Sequence, residues 1–352
     1  MKKSNVLFYV AFLALFISSC SDDEGGSDEP KGDYENGYFV TNEGPFQNGS
    51  GTITFVDDAG PVSQNVYKTV NNEDLGNIVN SMYIADDKGY VVVNNSGRVV
   101  VVNRFTMEKE AVIDGEFINN PRYFVAGNGK GYISNWGDPF NAGDDFITVI
   151  SLANNTVLTT IPVGEGPENL LLEAGRLYVC LEGGYNQNNK VAVINTEDDS
   201  VESTIEVGDV PNSITIDRNS DIWILCQGKP DYTGDETKGS IYKIESGTNA
   251  VSSLDFTMTQ HPKLLNYENE KLYYNLDSKI YSMDITATDI PTNSIDGLDG
   301  DYYTMNIDNG ELYATDAGDF ASEGSLKVFN LTSGDLMQTI TTGIIPGQVV
   351  FP

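Results

Sequence analysis

The sequence predicts an all-β fold, a seven-bladed β-propeller with four antiparallel strands in each blade, and three observations lead to this prediction. Beyond the first twenty residues, short strand-like runs alternate with clusters of Gly, Asn and Asp. An aromatic residue opens an apolar run seven times at a regular interval. The last run of the chain has the pattern of a strand that the first repeat lacks.

The repeat is marked by an aromatic residue that follows Gly, Leu or Ile and begins an apolar run. Its occurrences are about 45 residues apart, a spacing typical of propeller blades. In the clearest unit, residues 167–208, four runs follow one another: PENLLLEAG, RLYVCLE, KVAVINT and SVESTIEVG. Four short antiparallel strands per repeat form one blade. The seven aromatic residues are Tyr38, Tyr90, Tyr132, Tyr178, Trp223, Tyr273 and Tyr313.

The ends of the predicted propeller complete each other. A blade buries both faces against its neighbours, which explains runs such as the consecutive valines at 99–102. The first unit starts at its second strand, GYFVTN, whereas the chain ends with PGQVVFP, which has the pattern of a first strand. We therefore expect residues 348–351 to pair beside residues 38–42, closing the ring and removing an open sheet edge.

The first part of the chain has the organisation of an export signal. Two lysines precede a largely apolar run at 6–17, which is too short to cross a bilayer as a helix, and small residues follow. We expect residues 1–19 to be a signal peptide. The acidic segment 20–36 has almost no apolar side chains, so we expect a flexible tether there. Residues 37–352 then form the propeller.

The composition restricts partners and chemistry. With 52 acidic and 20 basic residues the formal net charge is −32, so the surface repels phosphate backbones and nucleic acid is not an expected partner. The one histidine, His261, is the only candidate for imidazole acid–base chemistry, and no nucleophile-elbow motif accompanies it. We therefore do not expect an enzyme. The same count excludes a His-rich metal site.

Two features leave alternatives open. The carboxylates of DGLDGD at 296–301 are candidate calcium ligands, but a turn is the favoured interpretation because no EF-hand spacing is present. Cys180 and Cys226 lie in strand-like segments and point to opposite strand faces. We expect both to be free thiols that behave as small apolar groups rather than a disulfide.

A binding site is expected on one face of the propeller. The loops between strands two and three share a face with the inter-blade links, and they are the long loops of this chain. Long loops on a rigid scaffold often carry binding residues, and each of these has an aromatic side chain suited to a ligand wall. The loop aromatics are Phe46, Trp136 with Phe140, Tyr185, Tyr232 and Phe320. The candidate ligand-binding residues are Asn42, Glu43, Phe46, Arg122, Trp136, Glu168, Asn169, Tyr185, Asn212, Tyr232, His261 and Tyr302.

Two short motifs resemble lipoprotein signals. ISSC at 17–20 resembles the bacterial lipobox, which implies that Cys20 is lipidated and that a lipid anchor is the only membrane attachment. SDDE at 21–24 resembles the export signal of Bacteroidetes surface lipoproteins. That resemblance implies a place in the outer membrane, facing the cell exterior.

The repeats resemble those of YVTN-repeat bacterial surface propellers. The resemblance lies in YFVTN at 38–42, ITVISLANNTVLTTIPVGEGP at 147–167 and VAVINTEDDSVESTIEVGDVP at 191–211. More narrowly, FVTNEGPFQNGSGTITFVD at 39–57, together with the export region, is similar to Bacteroidetes surface propellers that capture vitamin B12 beside an outer-membrane transporter. This resemblance implies cobalamin or another corrinoid as ligand and a TonB-dependent transporter as partner.

The expected function is therefore capture of a small nutrient on the loop face by a cell-surface lipoprotein. A second hypothesis is a protein–protein or matrix interaction module that uses the same face. A third is a propeller lyase or lactonase that depends on His261. A deep pocket would favour ligand capture, and a flat apolar patch would favour the interaction module.

Overall fold

Seven antiparallel sheets form the body of the molecule in the computed structural model, which describes residues 30–46 and 48–352. The innermost strand of each sheet contacts the innermost strand of the next, and the seventh returns to the first, so the sheets are the blades of a closed propeller. The predicted seven-bladed all-β fold is confirmed. The predicted signal peptide and Cys20 lie outside the described residues.

The strands follow the predicted order within the blades. Blade 1 contains β1 (Gly37–Asn42), β2 (Thr52–Asp57), β3 (Val62–Ser63) and the final strand β27 (Pro346–Val350). Blade 2 contains β4 (Val79–Ala85), β5 (Lys88–Val93), β6 (Arg98–Asn103) and β7 (Lys109–Ile113). Blade 3 contains β8 (Pro121–Gly127), β9 (Lys130–Asn135), β10 (Phe146–Ser151) and β11 (Thr156–Pro162). Blade 4 contains β12 (Pro167–Glu173), β13 (Arg176–Leu181), β14 (Lys190–Asn195) and β15 (Ser200–Glu206).

The remaining blades repeat this order with one exception. Blade 5 contains β16 (Pro211–Ile216), β17 (Ile222–Cys226), β18 (Ser240–Ile244) and β19 (Val251–Asp255). Blade 6 contains only β20 (Lys263–Glu268), β21 (Lys271–Leu276) and β22 (Lys279–Asp284). Blade 7 contains β23 (Met305–Asp308), β24 (Glu311–Asp316), β25 (Glu323–Asn330) and β26 (Leu336–Ile344).

An irregular segment replaces the fourth strand of blade 6. Residues 285–304 contain turns and a single bridge between Lys279 and Asp299. The DGLDGD sequence lies here, and the backbone carbonyl of Asp299 accepts a hydrogen bond from the Tyr302 hydroxyl at 2.9 Å. In residues 30–46 and 48–352 no group of three or more metal-ligating side chains comes together.

Ring closure occurs as predicted. Strand β27 pairs antiparallel with β1, with Val349 opposite Val40 and Val350 opposite Phe39. The observed strand begins at Pro346, two residues earlier than the predicted pairing segment. Because the last strand of the chain completes the first sheet, the two ends of the propeller hold each other in place.

The apolar core lies between the blades. Val99 to Val102 are each no more than 1% exposed, although successive strand residues face opposite sides of the sheet. Val100 and Val102 pack toward blade 1, while Val99 and Val101 pack toward blade 3. This arrangement explains why the inner strands read as continuous apolar runs rather than alternating ones.

Both described cysteines are free and buried, as expected. Cys180 on β13 and Cys226 on β17 belong to the same apolar cluster between blades 4 and 5. Their side chains occupy opposite strand faces, but neighbouring blades pack face to face, so opposite faces meet at one interface. Burial raises the pKa of the Cys226 thiol to about 12, which keeps it in the unreactive thiol form.

The described start of the chain is fixed to the lower face, which we define as the face bearing the one-to-two and three-to-four turns. The Tyr34 amide donates to the Phe105 carbonyl in the β6–β7 turn at 2.9 Å. The Tyr34 ring also packs edge-on against Phe55 with centroids 5.2 Å apart. The long two-to-three loops lie on the opposite, upper face.

Helical structure is minor. Helix α1 (Val66–Asn71) lies in the link between blades 1 and 2 and buries Val66 and Tyr67 against the core. A single 3-10 turn, Asp231–Thr233, lies in the long loop of blade 5. Within the described chain, no helix has the length and apolar character needed to cross a membrane.

Candidate functional site

A cavity of about 330 Å³ lies at the centre of the propeller. The innermost strand of every blade contributes to its wall, which places the cavity on the ring axis. Its volume is at the small end of the range for pockets that hold small molecules, about 300–1,000 Å³. The lining residues are Glu43, Asn80, Arg122, Tyr123, Asn169, Asn212, Ser213, Ile214, Leu264, Leu265, Tyr303, Thr304, Met305, Asn306, Gly347 and Gln348.

A register shift at the start of six of the seven inner strands helps to place these residues. In blades 1 to 6 the pairing between the inner strand and its neighbour shifts directly after the first paired residue. In blade 3, for example, Pro121 and Phe124 pair but the two residues between them do not. Such irregularities redirect side chains. Arg122 and Tyr123 both line the cavity, and Tyr123 also packs against the apolar cluster between blades 3 and 4.

Polar side chains connect neighbouring inner strands around the cavity. We call this set the inner belt: Asn80, Asn169, Asn212, Asn266, Thr304 and Gln348. Five of its members donate to a backbone carbonyl of the next blade, and the sixth, Gln348, accepts from the Met82 amide at 3.0 Å. The five donor contacts are Asn80 to Arg122 at 2.7 Å, Asn169 to Asn212 at 2.8 Å, Asn212 to Pro262 at 3.3 Å, Asn266 to Met305 at 2.9 Å and Thr304 to Gly347 at 2.5 Å.

The junction between blades 3 and 4 has an ion pair in place of a belt contact. Arg122 Nε donates to Glu168 Oε1 at 2.8 Å, and the Glu168 side chain is only 4% exposed. The guanidinium also lies over the Trp136 ring, with Cζ 4.4 Å from the ring centroid. Burial raises the pKa of Glu168, although the nearby Arg122 charge opposes this. Two predicted site residues thus form a buried charge pair beside the cavity.

Two further carboxyl groups lie near this pair. Glu182 directly follows β13, and burial, reinforced by the charge of Glu168 and opposed by Arg122, raises its pKa to about 8. Glu43 directly follows β1, the equivalent strand of blade 1, and accepts a hydrogen bond from the Tyr303 hydroxyl at 2.6 Å. Burial also raises the pKa of Glu43. The mouth of the cavity therefore holds three carboxyl groups and one guanidinium.

The predicted residue Tyr302 does not line the cavity. It is 2% exposed and occupies the position that proline occupies in most other inner strands, packed within the core. Its neighbour Tyr303 lines the cavity instead. Tyr303 and Thr304 both bond through the backbone to Thr315 of β24: the Tyr303 amide donates to the Thr315 carbonyl at 2.8 Å, and the Thr315 amide donates to the Thr304 carbonyl at 3.1 Å. Both residues line the cavity.

Asn42 is likewise a structural residue in this fold. It is fully buried, and its Nδ2 donates to the hydroxyls of Thr52 and Thr54, each at 3.1 Å. Its Oδ1 accepts from the Gly343 amide of blade 7 at 2.9 Å. These contacts satisfy the side chain, so Asn42 connects blades 1 and 7 and Glu43 is the residue that reaches the cavity.

The predicted loop aromatics lie around the upper face and are mostly exposed. We call Phe46, Phe140, Tyr185, Tyr232 and Phe320 the aromatic rim. Their exposed fractions range from 56% for Phe320 to 87% for Phe140, higher than those of nearly all other large apolar side chains in the described chain. Apolar side chains this exposed do not plug their loops onto the blades.

Part of the rim is a connected cluster on blades 3 and 4. Tyr185 packs against Phe140 with ring centroids 5.4 Å apart and against half-buried Trp136 at 6.1 Å. On the other side of the mouth, Phe320 packs edge-on against Tyr303 at 5.9 Å. Aromatic surfaces therefore flank the polar mouth on two sides.

His261 lies outside the cavity wall. One ring nitrogen, Nδ1, is 3.0 Å from the Gln227 carbonyl and the other, Nε2, is 3.2 Å from Glu236 Oε1. Both nitrogens are therefore engaged by the loop of blade 5. This position gives His261 a role in holding that loop.

Sequence reasoning missed three residues near the mouth: Asn80, Glu182 and Tyr303. Asn80 and Glu182 were detectable, because Asn80 follows the first residue of β4 and Glu182 follows β13, positions equivalent to Arg122 and Glu43. Aligning the seven repeats on the proline position would have selected both. Tyr303 required the additional step of placing Tyr302 at the proline position.

Solved structures share the fold at low sequence identity. A hypothetical selenium-binding protein from Sulfolobus tokodaii is 12% identical, with a TM-score of 0.66 over 89% of this chain and 92% of that one. A protein from Lactobacillus plantarum is 15% identical, with a TM-score of 0.63 over 90% and 99%. AztD from Citrobacter koseri is 10% identical, with a TM-score of 0.55 over 89% and 96%. These likenesses concern the fold alone.

Sequence comparison gives the family. No protein of curated function shows a significant match to the chain. The family described as a domain of unknown function, DUF5074, matches residues 36–342, which includes strands of all seven blades and ends before β27. The chain is therefore a β-propeller that belongs to the DUF5074 family.

Proposed function

We propose that this protein is a cell-surface lipoprotein that captures a small nutrient on its upper face and passes it to a TonB-dependent outer-membrane transporter, without catalysing a reaction. The proposed ligand is cobalamin or a related corrinoid, which rests on the resemblance to YVTN-repeat and B12-capturing surface propellers. The observation that carries the binding proposal is the aromatic rim, five exposed aromatic side chains on one face of a rigid ring.

The size of the central cavity supports binding of the ligand at the aromatic rim rather than inside the cavity. A corrinoid is a macrocycle with a nucleotide loop, and it is too large for a cavity of about 330 Å³. The rim surrounds the cavity and offers apolar ring faces, while the mouth offers carboxyl and guanidinium groups. A large, partly apolar ligand would rest on the rim and place polar substituents toward the mouth.

The position of the tether supports presentation at the surface. The described chain starts on the lower face, where Tyr34 is bonded to Phe105, opposite the aromatic rim. If Cys20 carries the lipid, the nine intervening residues 21–29 reach at most about 35 Å. The propeller would then stand close to the membrane with its rim directed outward, where a ligand arrives.

Titration with cyanocobalamin, followed by calorimetry and absorbance, tests the proposal. We expect saturable binding to the wild-type protein. Tyr185→Ala should weaken it at least about tenfold, because an aromatic anchor is lost. Leu336→Ala is the matched control, because Leu336 is 55% exposed on the outer strand β26, away from the rim.

Absence of heat and spectral change with the wild-type protein would remove the corrinoid from the proposal. A thermal-shift screen of small nutrients then tests capture at the rim in general. Ligands whose binding is equally strong in Tyr185→Ala and Leu336→Ala would overturn it. A protein that binds the rim while no small ligand does would assign the face to an interaction module.

A further inference from the structure

We propose that the central cavity is a second, smaller binding site, which takes the primary ammonium group of a short aliphatic amine. This site is distinct from the aromatic rim, because the inner strands line it and no residue of the rim belongs to its wall. The inference does not depend on which ligand the rim captures. Three properties of the cavity carry it: its hydrogen-bonding character, its charge and its apolar wall.

The cavity wall is rich in acceptors. Asn80 and Asn169 use their Nδ2 groups on backbone carbonyls of the next blade. The inner belt thereby fixes these amides, and no donor of the described residues reaches their Oδ1 atoms. Glu43 adds a carboxylate, of which one oxygen accepts from Tyr303. A ligand that donates several hydrogen bonds complements this wall, and an ammonium group has three N–H donors.

The charge around the cavity also favours a cation. Arg122 is the one basic residue of the wall, and its charge is compensated by Glu168 at 2.8 Å. Glu43 forms no ion pair among the described residues: its one side-chain hydrogen bond comes from a neutral hydroxyl, and Arg122 acts on it only as a nearby charge that lowers its pKa. The Glu43 carboxylate is half-buried, and a bound ammonium would offset the cost of withdrawing it from water.

Apolar residues interrupt the polar wall on blades 5, 6 and 7. Ile214 and Leu264 are half-buried there, whereas Leu265 and Met305 line the cavity but are largely buried in the clusters between the blades. A bare metal ion or an ammonium ion gains nothing from contact with apolar side chains. An alkyl chain covers these side chains and removes them from water. The combination therefore fits an amine with a short alkyl chain, which the cavity volume of about 330 Å³ accommodates.

Titration with n-pentylamine, measured by NMR and calorimetry against the isosteric neutral 1-pentanol, tests this proposal. We expect the amine to bind at least about tenfold more tightly than the alcohol, because a charged hydrogen bond is replaced by a neutral one. Affinity should rise roughly fourfold per methylene from propylamine to pentylamine, the value for burying one methylene. Equal affinities for amine and alcohol, or no binding of either, would overturn the proposal.

Variants locate the amine. Glu43→Gln should weaken pentylamine binding about tenfold or more, whereas Asp231→Asn should not, because Asp231 is an exposed acid on the upper face outside the cavity. Ile214→Thr removes the terminal methyl and introduces a hydroxyl, and should flatten the chain-length dependence. Since Glu43→Gln could alter folding, its melting curve is compared with wild type. A folded Glu43→Gln that binds normally, or Ca²⁺ binding that depends on Glu43 without amine binding, would contradict the inference.

Discussion

Glu182 should make the protein less stable as the pH rises. Its pKa in the folded state is about 8, against a usual value of 4.5, because burial and the Glu168 charge disfavour ionisation. Between these two values the folded protein keeps a proton that the unfolded chain has lost. The stabilisation linked to this proton is therefore fully present below about pH 4.5 and is lost as the pH approaches 8. The free energy of unfolding should fall by on the order of 3–5 kcal/mol over this range.

The substitution Glu182→Gln isolates this effect. The amide cannot ionise, so the variant should gain stability over wild type at pH 8.5 and show little difference at pH 5. Urea unfolding at both pH values measures this, with Asp231→Asn as the exposed control. A stability difference between Glu182→Gln and wild type that is the same at both pH values would contradict a proton held by Glu182.

Single residues also show which parts of the candidate site could be predicted from the sequence. Arg122, Asn169 and Asn212 were predicted at the site and the structure places them in the cavity wall. Tyr302 was predicted as a residue of the link between blades 6 and 7, but it stands at the proline position of the repeat and its side chain faces the core. Repeat spacing predicts where a residue lies along the chain, but it does not predict the direction of the side chain.

At the scale of elements, the ion pair between β8 and β12 replaces the belt contact found at the other junctions. Arg122→Met should destabilise the protein by about 3–5 kcal/mol at pH 8, because it leaves the buried Glu168 carboxylate unpaired. The loss should be smaller at pH 5, where Glu168 can be protonated, since burial raises its pKa. Urea unfolding of the single variant at both pH values measures these effects.

The double variant Arg122→Met/Glu168→Leu supplies the control for that prediction. Removing both charges leaves no unpaired group, so most of the lost stability should return. A double variant as unstable as Arg122→Met alone would show that Arg122 acts through packing on Trp136, at 4.4 Å, rather than through the ion pair.

Elements differ in how well the sequence specifies them. The inner strands and the long upper loops were predicted because apolar runs and turn residues mark them directly. The absence of a fourth strand in blade 6 was harder to predict. Residues 285–304 contain turn residues but also apolar side chains, such as Ile285 and Leu298, that belong to the core. The inner belt was not predicted, because each of its contacts joins residues about 40 or more positions apart.

At the scale of the whole molecule, the fold was predictable because one repeat pattern recurs and the ends of the chain supply complementary parts of one blade. The cavity was not predictable in volume or charge. It is formed by seven segments at once, and its character depends on which positions each register shift turns inward. Glu43 and Tyr303 illustrate this, because they are 260 residues apart in sequence and hydrogen-bonded in the ring.

Deleting residues 346–352 should therefore remove much of the stability of the entire ring. The deletion exposes one edge of β1, leaves the Tyr38, Val40 and Tyr313 cluster without Val349, and breaks the contact from Thr304 to Gly347. We expect the melting temperature to fall by more than about 10 °C, several times the shift that one kcal/mol causes in a domain of this size. Differential scanning calorimetry measures the change.

Adding the missing strand in trans distinguishes ring closure from a general effect of truncation. A synthetic peptide of residues 344–352 should bind the truncated protein and raise its melting temperature in a concentration-dependent way, because it pairs only with the folded blade. The same peptide with Val349→Asp should not, since Val349 is 2% exposed in the closed ring. A truncated protein that melts within one or two degrees of the full chain, or that gains nothing from the peptide, would contradict closure through β27, the feature that makes seven separate sheets one cooperative unit.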